Sequence, residues 1–252
     1  MMSSIKMFNK YHLGDNIYSL IFVNNIVENN DIEVEYSCRN NYLQELNHHN
    51  YKNIKIAGIT YSPGVDTWIQ ANNYWAEYFV KQEEVKEMYF YDEFYLKFYN
   101  DLAKRNNLKH SFKDIKDVLY YQPDLEKRRY DDYDFLIINS RGASGQFAYI
   151  PEDFIKLTRK LKSEGYKVIT TEKIGDVDCT RDSGMNLKDI GNLSIGCKNI
   201  IAVHTAPMTT ALNRFSVDSV RKWVLLNNKK ISYKLLDISV YNDVKKINLN
   251  EF

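Results

Sequence analysis

The chain has 252 residues, with 34 Lys and Arg against 33 Asp and Glu, for a formal net charge of +1 at neutral pH. Such balance excludes a global field for nucleic acid or an anionic membrane, so any polyanion site must be local. At 44% hydrophobic and 27% charged the chain can bury one large α/β core or two small ones, and no run approaches the about 20 apolar residues of a membrane-spanning helix.

Met1 to Lys10 lacks the apolar stretch of a secretory signal. The three cysteines, Cys38, Cys179 and Cys197, are odd in number, widely spaced and without a CxxC pair. They read as reduced thiols in a cytoplasmic protein.

In chain order, Ile5 to Phe8 reads as a strand, and Ile17, Leu20, Ile21 and Val27 recur at helical spacing, which predicts an amphipathic helix over Asn16 to Glu28. A strand at Ile32 to Tyr36, a helix around Tyr42 to His48 and a strand at Ile54 to Ile59 follow. This alternation argues for a parallel sheet with crossover helices. A turn cluster at Thr60 to Val65 contains Pro63-Gly64, after which aromatic-rich text predicts helices over Thr67 to Phe79 and Phe90 to Asn106, with no clear strand. Those aromatic residues belong to the core by their spacing, with Trp68 the exception that could face an acceptor.

Gln122-Pro123 and the charged run Glu126 to Asp134 break the pattern, which sets a domain boundary near residue 130 and expected domains of 1–130 and 131–252. The alternation then restarts. Phe135 to Ile138 is a buried-type strand, Pro151 to Glu164 a helix stopped by Gly165, and Lys167 to Thr171 the next strand. Leu187 to Ile195 reads as a short helix, Asn199 to Val203 as a strand, and Pro207 to Phe215 as a helix. The fold class expected is α/β, with two Rossmann-like halves; the final segment, 221–252, has apolar runs at Trp223 to Leu226 and Tyr233 to Ile238 that leave its place open.

Three strand-to-helix loops can carry chemistry, because open α/β sheets keep their ligands at the carboxyl ends of the strands. In His12-Leu13-Gly14-Asp15, Gly14 relaxes the backbone, and Asp15 either caps the helix or points outward as a proton acceptor. In Ser140-Arg141-Gly142-Ala143-Ser144-Gly145, small residues, hydroxyls and one guanidinium fit phosphate recognition, although the Lys-Ser/Thr ending of a P-loop is missing. In His204-Thr205-Ala206-Pro207-Met208-Thr209-Thr210, backbone amides and threonine hydroxyls at a helix start fit a diphosphate. His204 reads equally as a buried structural histidine. Glu172 ends a strand and lines the same edge. Asp176-Val177-Asp178 matches the DxD tripeptide of metal-dependent glycosyltransferases, but such a tripeptide arises by chance, and no metal is expected. His48-His49 has no ligand set and reads as solvated surface.

Together these three segments, over residues 5–30 and 135–215, resemble the bacterial heptosyltransferase-like glycosyltransferases, a family with the GT-B fold of two Rossmann-like domains facing across a cleft. In that family a Gly-Asp pair follows the first strand and its Asp is regarded as the base acting on the acceptor hydroxyl, which by resemblance is Asp15. The family's later Asp-Ser/Thr-Gly-Pro-x-His-like loop holds the donor diphosphate; here His204 replaces the Asp, Ala206 the Gly, and Thr210 stands in the region of the His. The resemblance implies an inverting, metal-independent transfer of a sugar from a nucleotide sugar to a glycan-type acceptor. Donor would meet Ser140, Arg141, Gly142, Ser144, Glu172, His204, Thr205, Ala206, Pro207, Met208 and Thr209. Acceptor would meet His12, Gly14 and Trp68. No cofactor and no nucleic-acid partner are implied. The alternatives are a nucleotide-sugar epimerase or hydrolase, and a binding protein of the same fold that transfers nothing; an oxidoreductase lacks its GxGxxG.

Overall fold

Buried Ile5 and Met7 flank exposed Lys6, and buried Ile32, Val34, Tyr36 and Cys38 alternate with more exposed Glu33, Glu35, Ser37 and Arg39. That period of two makes strands with one apolar and one polar face. The computed structural model describes residues 3–9, 12–59, 68–71, 74–77, 95–114, 117, 125, 133–142 and 149–226. They fall into two compact units, the first running to Asp124 and the second starting at Leu125.

In the first unit, β1 (Ser3–Phe8) leads through α1 (Leu13–Glu28) to β2 (Ile32–Arg39), and a short helical turn with α2 (Leu43–Leu46) leads to β3 (Ile54–Ile59). These three strands are parallel, in the spatial order β3-β2-β1. On the far side of β1 the sheet continues with β4 (Trp68–Ala71) and β5 (Tyr74–Glu77), both antiparallel to their neighbours. A helix was expected over Thr67 to Phe79, and this hairpin corrects it. Ala71 pairs with Tyr74, which leaves two residues, Asn72 and Asn73, to connect the strands. Aromatic and β-branched residues on either side of an Asn pair have the chemistry of a hairpin, and a sheet edge that offers hydrogen bonds outweighs helical spacing.

α1 departs from expectation as well. It is buried at every position from Gly14 to Val27, so it is not an amphipathic surface helix. Phe22 stacks on Tyr99 of α3 (Leu96–Arg105) at 4.7 Å between ring centroids, and Phe112 meets it edge-on at 5.2 Å. The helix affords its polar residues by satisfying them: Asn25 donates to Ser111 Oγ at 2.8 Å and accepts from Ser111 N–H at 3.1 Å. Asn30, just beyond the helix, makes the same two-way exchange with Lys109. α3 lies within the helix expected over Phe90 to Asn106; residues 78–94 lie outside the described residues, as do the turn cluster at Thr60 to Val65 and the Pro123 break. His49, expected on the surface, is buried against Tyr51.

The second unit contains β6 (Phe135–Ile138), α4 (Pro151–Ser163), β7 (Val168–Thr170), β8 (Asp178–Cys179), α5 (Leu187–Gly196), β9 (Asn199–Val203), α6 (Ala206–Ala211), α7 (Arg214–Ser219) and β10 (Lys222–Leu226). All five strands are parallel, in the order β10-β9-β6-β7-β8. This is the doubly wound 3-2-1-4-5 arrangement, and the first sheet has the same strand order with one strand, β4, reversed in direction. Both faces of the second sheet are buried: Ile137, Ile201, Val203, Val224 and Leu226 pack with Phe154, Leu157 and Leu161 of α4, while Leu136, Ile138, Ile200, Ala202 and Trp223 are buried on the other side. Gly165 closes α4 at φ +85°, with Tyr166 N–H bonded to Leu161 C=O. The run Trp223 to Leu226, whose place was open, is the edge strand beside β9.

The helix expected over Pro207 to Phe215 is two short helices, broken at Leu212-Asn213. Asn213 is fully buried; its amide group donates to Thr210 and Ala211 carbonyls, which the break leaves open, and its oxygen caps Phe215 and Ser216 N–H of α7. α5 and α6 approach closely at Gly191, where an added Cβ would lie 2.9 Å from Thr210 Cγ2, 3.0 Å from Leu125 Cδ2 and 3.2 Å from the Thr210 carbonyl oxygen. Gly191→Ala should therefore overpack this contact and cost about 1–3 kcal/mol, read as a lower urea midpoint. An unchanged midpoint would show that the contact yields freely.

Candidate active site

Each sheet reverses its winding beside its first strand, and at that point the loops beyond the carboxyl ends of the strands diverge and leave a crevice. In the second unit, where all strands are parallel, the switch falls between β6 and β9; in the first, β1 has parallel β2 on one side and antiparallel β4 on the other.

Beyond β1, Asn9 continues the pairing by donating its N–H to Ser37 C=O at 3.0 Å. Its buried side chain donates to Ser19 Oγ at 2.9 Å and to the Asp15 carbonyl at 3.4 Å. His12 is the N-cap of α1, and Asp15, the third helical residue, is 7% exposed. Asp15 Oδ2 accepts His12 N–H at 3.2 Å, and Asp15 Oδ1 accepts the Tyr95 hydroxyl at 3.2 Å. Of the two roles open to Asp15 from the sequence, the bond from His12 N–H forms the cap, and the Tyr95 hydroxyl holds the carboxylate from its other oxygen. Tyr36 donates to Asn16 Oδ1 at 3.1 Å, and Asn16 donates to the His12 carbonyl at 2.9 Å. Burial raises the pKa of both Tyr36 and Tyr99 above the usual tyrosine value, so both phenols keep their protons. Gly14 is helical and buried, which corrects its reading as a relaxed turn residue. The Trp68 backbone lies in β4 and its side chain is outside the described residues.

In the second unit the organising group is Asn139, a fully buried side chain immediately beyond β6 that sequence reasoning missed. Its oxygen accepts Glu172 N–H at 2.8 Å and the Thr171 hydroxyl at 3.1 Å, while its amide group donates to the Glu172 carbonyl at 3.1 Å. The Ser140 and Thr171 hydroxyls are 3.0 Å apart. The only sequence-level hint was an amide at the end of a buried apolar strand, where a polar group must find partners. Gly142 stands beside the β9 loop: a Cβ there would be 3.9 Å from Thr205 Cγ2. Two of the three loops singled out in the sequence thus meet.

Other assignments change. Exposed Arg141 lies 5.0 Å from the centre of the Tyr149 ring, a cation–π contact, and Ser144 is outside the described residues. Glu172 is tied to Arg181, with its Oε2 2.7 Å from Arg181 Nη1. Thr209 and Thr210 are buried and donate to the Thr205 and Ala206 carbonyls at 3.4 and 3.3 Å, so their hydroxyl protons are engaged within the helix. Thr205 Oγ1 donates to the Val203 carbonyl at 3.3 Å, and Met208 is buried. What remains for an anion at this loop is backbone N–H at the start of α6, beside half-buried Ala206 and Pro207. Desolvation pushes the His204 imidazole down to about 4, which leaves it neutral at pH 7. Asp176 pairs with Lys162 at 2.7 Å and Asp178 accepts the Tyr133 hydroxyl at 3.0 Å. Among the described residues no three His, Cys, Asp or Glu gather as metal ligands, and no helix is long and apolar enough to cross a membrane. Cys38, Cys179 and Cys197 are free buried thiols, with burial raising Cys38 to about 11 and Cys197 to about 12.

Solved structures share this architecture. Escherichia coli heptosyltransferase WaaC with ADP is 9% identical over 90% of this chain and 88% of its own, at a TM-score of 0.57. The fold is that of the heptosyltransferases. A glycosyl transferase family 9 protein from Veillonella parvula is 11% identical over 98% of this chain and 86% of its own, at a TM-score of 0.55. The dodecameric iron-containing glycosyltransferase TibC from enterotoxigenic E. coli is 12% identical over 93% of this chain and 61% of its own, at a TM-score of 0.52. No protein-family model and no curated protein sequence matches the chain. The shared α/β architecture with parallel strands is the GT-B type.

His204 makes acid stability testable. Its ordinary value is 6.5 and its folded value about 4, so as pH falls from 6.5 the unfolded state takes up the proton first and stability declines until pH 4. The urea midpoint of the native protein should drop more between pH 7 and pH 5 than that of His204→Gln. Equal drops would show that the imidazole is not held neutral.

Proposed function

We propose that the chain is a glycosyltransferase that moves a sugar from a nucleoside-diphosphate donor to a hydroxyl of a glycan or other acceptor. The supporting observation is a fold shared with the heptosyltransferases over about nine-tenths of the chain, with a buried, oriented carboxylate at the turn after the first strand. Asp15 is the general base, and His12, Gly14 and Trp68 are the acceptor-side residues. The donor side is the second unit, where Ser140, Arg141, Gly142, the amides around Thr205 and the neutral His204 surround the diphosphate. Ser144 belongs to the same loop.

Transfer has two electrostatic demands. The acceptor oxygen must lose a proton as it bonds to the anomeric carbon, and the leaving diphosphate must gain charge. Amides, the Ser140 hydroxyl and Arg141 meet the second demand without a metal. A single base acting on the acceptor fits inversion. WaaC was solved with ADP and with an ADP-2-deoxy-2-fluoro heptose, and those ligands make nucleoside-diphosphate sugars the first donors to try.

One observation favours a second reading. The His12 N–H bond to the Asp15 carboxylate is of the kind that serves a structural cap, which fits a protein that binds a sugar nucleotide and transfers nothing. The two readings part on Asp15→Asn, which keeps an oxygen to accept one of the two donors. As the base, Asp15 makes this variant lose about 10²- to 10⁴-fold in turnover while nucleotide affinity, by isothermal titration, stays within about twofold. Normal turnover by the variant would remove Asp15 from the chemistry; no turnover by the native protein with any sugar nucleotide would favour the binding protein.

A further inference from the structure

β8 runs parallel to β7, β7 to β6, and β6 to β9, so the residues after all four strands stand along one edge of the second sheet. Three of those loops carry the residues assigned to the donor. The fourth follows the two-residue strand β8 and carries Arg181, which neither the sequence motifs nor the family resemblance picked out.

The Arg181 side chain is 74% exposed, and its Nη1 lies 2.7 Å from Glu172 Oε2. Glu172 is itself placed by its backbone, whose N–H and C=O are both bonded to the buried Asn139 side chain beside Ser140. A continuous polar chain therefore runs from the β6 loop through Asn139 and Glu172 to the guanidinium. A guanidinium carries five N–H donors in a planar fork, and Glu172 engages one nitrogen. Held by one carboxylate contact, the fork is oriented at the sheet edge with most of its donors toward solvent. Neighbouring Lys173, paired with Asp182 at 2.7 Å, is a point charge without a planar fork of donors.

We propose that Arg181 is a second cationic contact for the diphosphate of the donor, and that Glu172 is a positioning residue that holds the guanidinium in place before the ligand arrives. The inference rests on the sugar-nucleotide reading above. A phosphate, with its two-oxygen edge, competes for the planar fork better than a single carboxylate contact, because paired parallel N–H···O bonds are the stronger arrangement. Glu172 opposes the incoming anion by charge, so its removal and that of Arg181 act in opposite directions.

The test titrates the native protein, Arg181→Met and Glu172→Gln with ADP, GDP, UDP, CDP and dTDP, and with the matching nucleosides, by isothermal calorimetry. An exposed ion pair contributes little to stability, so both variants should melt with the native protein in the absence of ligand. Arg181→Met should weaken the preferred diphosphate about tenfold or more and leave its nucleoside unchanged. Glu172→Gln should bind the diphosphate as well as the native protein or better. Equal diphosphate affinity for native and Arg181→Met would overturn the assignment while the sugar-nucleotide reading stands. Parallel loss of nucleoside affinity would make the role structural and overturn it too. A Glu172→Gln loss matching that of Arg181→Met would overturn the opposed roles assigned to the pair. No diphosphate binding by the native protein would overturn the sugar-nucleotide reading, and the role of Arg181 with it.

Discussion

Strands that run in the same direction must end at the same edge. In the second unit five of them do so, and the polar groups gathered at that edge follow from the alignment. A parallel sheet buries both of its faces, so polar residues are forced to the ends of the strands, and the carboxyl ends collect the loops that lead into helices. Asn139 is the group that makes this edge specific. Buried without partners, its amide would cost about 2–7 kcal/mol of desolvation; bonded to Thr171 and to both backbone groups of Glu172, it ties the β6 loop to the β7 loop.

The first unit meets the same constraint with a different balance. Its parallel strands carry charged residues on one face, as Lys6, Glu33 and Lys55 show, so the core lies on the other face, between the sheet and the aromatic side chains around α1. α1 is then buried all round, and Asn16, Ser19 and Asn25 along it are bonded to the segments packed over it. Asp15 belongs to this network through Tyr95, a residue 80 positions away in sequence. The carboxylate that local pattern marks as a helix cap is thus also oriented by a distant hydroxyl, which is how a fold can prepare a group for chemistry at the start of a helix.

Much of the architecture was legible in the chain. The strands at Ile54–Ile59, Phe135–Ile138 and Asn199–Val203 coincide with their expected limits, because short apolar runs between turn residues leave the backbone few other choices. Pro151 at the start of α4 and Gly165 after its end likewise act through local backbone geometry. Reading failed where a partner distant in sequence decides. The residues of β4 and β5 have helical spacing, but an open edge at β1 recruits them as a hairpin. β8 is two residues long and exists only because β7 lies beside it. The break between α6 and α7 depends on Asn213 reaching carbonyls of α5 and α6.

The candidate site divides along the same line. Local sequence determined which loops carry small and polar residues, that Asp15 falls in the first turn of a helix, and that Gly142 and Thr205 follow buried strands, since these depend on residues within a few positions of one another. Only the tertiary structure decided which side chains remain available to a ligand. It turned the Thr209 and Thr210 hydroxyls inward, joined Glu172 to Arg181, and brought Asn139 and Tyr95 into the network. The physical reason is that a hydrogen bond or ion pair needs two partners at about 3 Å, and when they are tens of residues apart their meeting is set by strand order and packing, not by local pattern.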